Sequence, residues 1–215
     1  GGTGAGKALN LARLGFEVTL HTILGHDRAA AEVLSALEHD NIRCLVTRSE
    51  QGTEQHTNLM AASGERLSII TDTPAGSAML DWAAVEQALA RCDIAAISIL
   101  DYTRPILAKA RELRKPLWID LHDYDGESPY YDDFIEAADV IFVASDNLPN
   151  YRKFMCEQIA AGKKLVVCTH GKDGSEAMDQ GCNWFQQGIV EGFELRDSNG
   201  AGDAFFSGFL YAYQQ

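Results

Sequence analysis

The chain has 215 residues, 46% of them hydrophobic and 23% charged, which is enough length and apolar content to bury a core. A formal net charge of −13, with the basic residues scattered, argues against a nucleic-acid partner. Five cysteines without a C-x-x-C pair, no H-E-x-x-H and no apolar run of bilayer length argue against a disulfide framework, a zinc knuckle, a membrane span or a signal peptide, so a soluble protein of a reducing, cytoplasmic compartment is expected.

The first ten residues, GGTGAGKALN, satisfy the start of a phosphate loop, G-x-x-x-x-G-K, through Gly1, Gly6 and Lys7. Ala8 then stands where a Ser or Thr should hold magnesium, and no strand precedes the run, so a plain turn into a helix is the competing reading. Residues 27–40 have helical spacing. From 43 to 71 the rhythm changes. The β-rich pieces 43–48, 56–62 and 66–71, joined by turn signals that include Ser63-Gly64, predict a β-meander, a flap projecting from the body. Leu59, Met60, Ile69 and Ile70 are candidates for its apolar face or for packing inside it.

Beyond the flap, helical stretches at 81–92, 103–114 and 147–162 alternate with apolar runs at 94–100, 116–121, 140–144 and 164–169. Such alternation predicts a parallel sheet covered by helices on both faces. Asp120, His122, Asp123 and Asp125 follow one of these strands. Their spacing fits no known ligand pattern, and they read as solvated loop charge. Residues 175–190 predict a hairpin at the sheet edge, and a helix starts near Gly200. No repeat or linker divides the chain, so a single α/β domain over residues 1–215 is expected, with a β lid at about 43–71. Both ends look cut, because the first helix has no strand feeding it and the last is interrupted.

The stretch DSNGAGDAFFSGFLYA, residues 197–212, puts Gly200 and Gly202 ahead of an apolar, small-residue helix. The amides at the mouth of such a helix favour an anion, and Asp203 lies in the first turn beside them. A carboxylate so placed can take a proton from a hydroxyl while the amides steady a phosphoryl group. Asp203 as a merely dipole-favourable helix start is the alternative on these letters alone.

At full length the sequence resembles the ribokinase-like (PfkB) sugar kinases. DSNGAGDAFFSGF is similar to that family's D-T-x-G-A-G-D-x-F-x-x-G, and GGTGAGKALNLARLG to its G-G-x-G-x-N-x-A-x-x-x-A-x-L-G. Gly25 and Asp27 match G-x-D, and CTHGKDG at 168–174 matches T-x-G-x-x-G, all in the family's order.

The resemblance implies an ATP-dependent phosphotransferase acting on a hydroxyl of a sugar or sugar-like molecule. Asp203 would be the general base, and the Gly200, Ala201 and Gly202 amides the anion hole. Gly1, Gly2, Gly4 and Gly6 would line the acceptor, with Asn10 as a further contact. Thr169, Gly171, Gly174 and Gly202 would bind nucleotide. Magnesium would arrive with the ATP phosphates, and Asp197 with the Asn199 carbonyl would hold a monovalent cation such as K+.

Two departures stand out. Gly6 replaces the family's usual Asn, a ligand of sugar hydroxyls, and Ser145 and Leu148 occupy the places of its N-x-x-E, where Asn147 reads as a helix N-cap. The resemblance also implies a lid over the sugar and, in several members, a homodimer formed through it. Alternatives are a nucleoside acceptor or a non-catalytic binding protein on the same fold. A dinucleotide-dependent oxidoreductase is poorer, since Gly2-Thr3-Gly4 lacks the third glycine and the following ribose-binding acid.

Overall fold

A six-stranded sheet dominates the computed structural model, which describes residues 2–60, 66–72, 79–192 and 197–215. Gly1 and the Ser63-Gly64 turn, both singled out above, lie outside the described residues. The chain forms two compact units, residues 1–88 with 202–215, and residues 89–201.

The second unit holds the large sheet. Strands β5 (Ala95–Ile97), β6 (Leu117–Asp120), β7 (Val140–Ala144) and β8 (Leu165–Thr169) run parallel, with Ile119 opposite Ile141 and Ile141 opposite Val166. Each of β6 to β8 is almost wholly buried, which explains why their sequences are continuous apolar runs instead of alternating ones. Asp139 aligns their starting ends. Its carboxylate accepts from the Leu117 amide at 2.8 Å, and its carbonyl accepts from the Lys164 amide at 2.8 Å. Helices α4 (Arg104–Glu112), α5 (Asp132–Ala137) and α6 (Tyr151–Ala160) flank the sheet and bury Ile106, Leu107, Phe134, Phe154 and Met155. Then β9 (Ser175–Asp179) and β10 (Trp184–Gln187) add an antiparallel edge hairpin, as the sequence predicts.

The first unit opens with α1 (Thr3–Arg13), whose Lys7, Ala8, Leu11 and Ala12 form one buried face. The helix ends at Leu14. The Gly15 amide bonds to Ala12 O and the Phe16 amide to Leu11 O, the paired closure that a left-handed glycine permits (φ +94°). Phe16 then meets Tyr211 of α7 (Ala201–Tyr213) edge to face, ring centres 6.2 Å apart.

Strand β1 (Val18–Leu24) pairs in parallel with β2 (Ile42–Arg48) across helix α2 (Arg28–Ala36). This corrects the predicted meander. Residues 43–48 belong to a βαβ unit, and only β3 (Gln55–Met60) and β4 (Arg66–Asp72) form the antiparallel hairpin. Helix α3 (Trp82–Arg91) follows.

Candidate active site

Helix α1 carries Gly2 at its N-cap and presents Gly6 and Lys7 one turn in. From α7, Asp203 reaches back across 196 residues of sequence, and Lys7 Nζ donates to its Oδ1 at 2.8 Å. Both side chains are nearly buried, at 9% and 11% exposure, so this pair is shielded from solvent in a way that surface ion pairs are not. The Lys7 ammonium also lies 5.1 Å from the centre of the Phe206 ring. Ser207 Oγ, one turn beyond Asp203, donates to Asp203 O at 2.7 Å and to Lys7 O at 3.4 Å, a second tie between the helices.

Gly6 explains itself in this setting. A Cβ built on it would fall inside contact distance of Asp203 Oδ2, with Asp203 Cγ at 3.0 Å. At the position where the resemblance leads one to expect Asn, the Asp203 carboxylate thus takes up the space a side chain would use. Gly2 is the opposite case. Its φ of −83° suits any residue and nothing lies within 4 Å of a Cβ, so the fold does not require glycine there. Asn10 is half-buried on the same helix.

Ahead of α7, Asp197 Oδ1 accepts from the Asn199 amide at 2.8 Å and the Ala201 amide donates to Ser198 O at 3.1 Å. Gly200 is left-handed, with φ +78°. Ala201 thus begins the helix with its amide already engaged. As the second and third residues of α7, Gly202 and Asp203 have amides with no acceptor inside the helix. Asp27 of the G-x-D motif caps α2. It accepts from the Ala30 amide at 2.8 Å and from both the amide and hydroxyl of Thr53 at 2.7 Å, and these bonds hold its carboxyl below the usual range.

In the second unit, Thr169 and Ser175 close the β8–β9 connection, and Gly171 to Asp173 form a single tight helical turn within it. His170, between Thr169 and Gly171, shares a 2.9 Å hydrogen bond with Ser145 Oγ through Nδ1, and its ring packs on Tyr151 at 4.6 Å. Ser145 is thereby joined to the loop, while Leu148 is buried. The expectation that Asn147 caps the next helix is corrected. Asn150 holds the N-cap position of α6 without a side-chain bond, and the Asn147 amide group donates to Asp123 O at 3.3 Å. The acidic loop is self-satisfied. Asp120 accepts from the His122 amide and Asp125 from those of Glu127 and Ser128, which lower the Asp125 carboxyl. Among the described residues no group of three or more His, Cys, Asp or Glu converges as a metal site.

The model of the pfkB family carbohydrate kinases matches residues 1–215. The chain belongs to this family. The kinase is 26% identical over 217 residues to an acarbose 7(IV)-phosphotransferase of Actinoplanes, covering 99% of this chain and 73% of that protein. It is also 26% identical over 221 residues to a fructosamine kinase of Bacillus subtilis, covering 97% and 75%. Among solved structures, a microbiome-derived acarbose kinase superposes with a TM-score of 0.86 at 26% identity, over 98% of this chain and 72% of that one. A ribokinase of Arabidopsis thaliana, complexed with ribose and ATP, shares the fold with a TM-score of 0.79 at 19% identity, over 99% and 74%.

The kinase's Lys7 is the residue that sequence reasoning set aside. Once the phosphate-loop reading fails, nothing local assigns it a role. The signal was its position. A lysine on the same helical face as Ala8, Leu11 and Ala12 is buried with them and must meet a charge partner. Among the described residues no helix is long and apolar enough to cross a membrane.

Proposed function

We propose that the protein transfers the γ-phosphoryl group of ATP to a hydroxyl of a sugar or sugar-like acceptor, with Asp203 as general base. The observation that carries this reading is the nearly buried Asp203 carboxylate at the mouth of α7, gripped by Lys7 and set against the bare backbone of Gly6. Asp203 takes the proton of the acceptor hydroxyl as its oxygen bonds to the γ-phosphorus. The bond from that phosphorus to the bridging oxygen breaks, and ADP leaves with the electron pair. Charge on the transferred group is received by backbone amides of the Gly200–Gly202 turn, chiefly that of Gly202, because the Ala201 amide is engaged.

Gly1, Gly2, Gly4 and Gly6, with Asn10, serve the acceptor. Thr169, Gly171 and Gly174 serve the nucleotide. Magnesium enters with the ATP phosphates. A monovalent cation such as K+ would be held by Asp197 and the Asn199 carbonyl, where Asp197 Oδ1 accepts from the Asn199 amide and Oδ2 is left to face the ion.

Residues 1–215 serve as one ribokinase-like catalytic domain, and the β3–β4 hairpin forms its lid. Leu59 and Ile69, exposed on the hairpin and on one face by register, are the contacts through which two copies would pair. Met60 and Ile70 have side chains outside the described residues. Five free cysteines suit a reducing, cytoplasmic setting.

The test is ATP consumption with acarbose, fructosamine, fructose, ribose and inosine as acceptors. Turnover is expected with at least one, and Asp203→Asn should lower kcat by about 10²- to 10⁴-fold while ATP still raises the melting temperature. Thermal stabilisation by an acceptor with no turnover on any of them would instead identify a binding protein.

A further inference from the structure

A carboxylate at the end of a short side chain turns through a broad, two-fold torsion, so the backbone alone does not decide which oxygen faces a reacting hydroxyl. Here the two oxygens are made unequal. Oδ1 is fixed by the Lys7 ammonium at 2.8 Å, a charge-assisted bond between nearly buried groups. Oδ2 makes no hydrogen bond among the described residues and stands over Gly6, in the space a side chain there would fill.

We propose that Lys7 is the positioning residue for Asp203: it fixes Oδ1 from α1 and leaves Oδ2, above the bare Cα of Gly6, as the oxygen that receives the acceptor's proton. Gly6 and Lys7 act as one device, the first making room for the carboxylate and the second orienting it. The inference rests on Asp203 being the base. It does not need Lys7 to dock the helices, because Ser207 Oγ and the Phe16–Tyr211 contact join α1 to α7 independently.

The test uses the acceptor with the highest turnover among the five named above. Lys7→Met should lower kcat about 10- to 100-fold with the KM for ATP unchanged, the signature of a misoriented catalytic group. Lys7→Arg, which keeps the charge, should recover kcat relative to Lys7→Met. Gly6→Ala should also lower kcat, although alanine is a better helix former than glycine. Gly6→Ala and Lys7→Arg carry the test if Lys7→Met does not fold, as judged by its melting curve.

Wild-type kcat in folded Lys7→Met, or in Gly6→Ala, overturns the inference. So does a loss confined to melting temperature and KM. Asp203→Asn separates the two levels. If that variant is inactive and the Lys7 and Gly6 variants are not, only the positioning role falls; if it is fully active, the base assignment falls as well.

Discussion

Gly174 is held left-handed at φ +92°, and a Cβ there would run into Gln187 O and lie 2.9 Å from Gly188 Cα. Gly174→Ala should therefore cost about 1–3 kcal/mol of unfolding free energy, read from urea melts. Gly2→Ala meets nothing and keeps an ordinary φ, so its stability should stay within about 0.5 kcal/mol of wild type. Any effect should appear as a raised acceptor KM, because only a ligand approaching the backbone would notice the methyl group. A Gly2→Ala protein with unchanged KM for every acceptor would remove Gly2 from the substrate side. At this scale the place of Asp203 in the first turn of α7 was legible in the sequence, since the glycine turn, the acid and the apolar helix are consecutive. Its partner was not, since Lys7 lies 196 residues away and no local pattern links them.

Helix α6 and the edge hairpin are joined by a similar pairing in plain view. Arg152 on α6 donates to both Glu176 oxygens on β9, at 3.1 and 2.6 Å, and its guanidinium lies 5.2 Å from the centre of the Trp184 ring on β10. Glu176 is almost fully buried, whereas Arg152 is 64% exposed at the side chain. The arginine bonds hold the Glu176 carboxyl below its usual value against the opposing effect of burial.

A depressed carboxyl contributes stability that is present above the unfolded value, about 4.3, and is lost as pH falls through the folded one. Glu176→Gln should thus melt lower than wild type at pH 7, and the gap should close as pH drops below about 4.3. Arg152→Met should be the more damaging change at pH 7, because it takes both guanidinium bonds from the buried carboxylate and leaves it the Tyr151 hydrogen bond, while Glu176→Gln leaves only an exposed cation. Equal melting of the two variants at neutral pH would contradict this asymmetry.

The hairpin itself was readable as an all-β stretch, residues 175–190, following the last apolar run. The β1–α2–β2 unit was not, because β1 is a half-buried strand, VTLHTIL, whose polar residues break the apolar signal. Without a recognised partner ahead of it, β2 was grouped with the strands that follow.

Across the whole molecule, the motifs in family order were enough to fix the fold class, because each marks a strand end or helix start whose sequence order sets the topology. The division into two units was not readable, since no glycine- or proline-rich linker marks a boundary that falls inside α3 and at the start of α7.

The cysteines offer a way to measure how firmly the sheet-bearing unit holds together. Cys156 and Cys182 are exposed, Cys44 and Cys92 half-buried, and Cys168 fully buried in β8 between β7 and β9. Burial pushes the Cys168 thiol up to about 12, reinforced by the negative charges of Glu176 and Asp146, so its reactive thiolate is scarce at neutral pH even apart from access. In a thiol-reagent time course at pH 8, Cys156 and Cys182 should react first and Cys168 last, at the rate with which the central strands open. Magnesium-ATP should slow that last phase by stabilising the closed state, and Cys168→Ala should remove it. Were the Cys168 phase as fast as the first two, β8 would open locally and could not act as the rigid base from which Thr169 and Gly171 are presented.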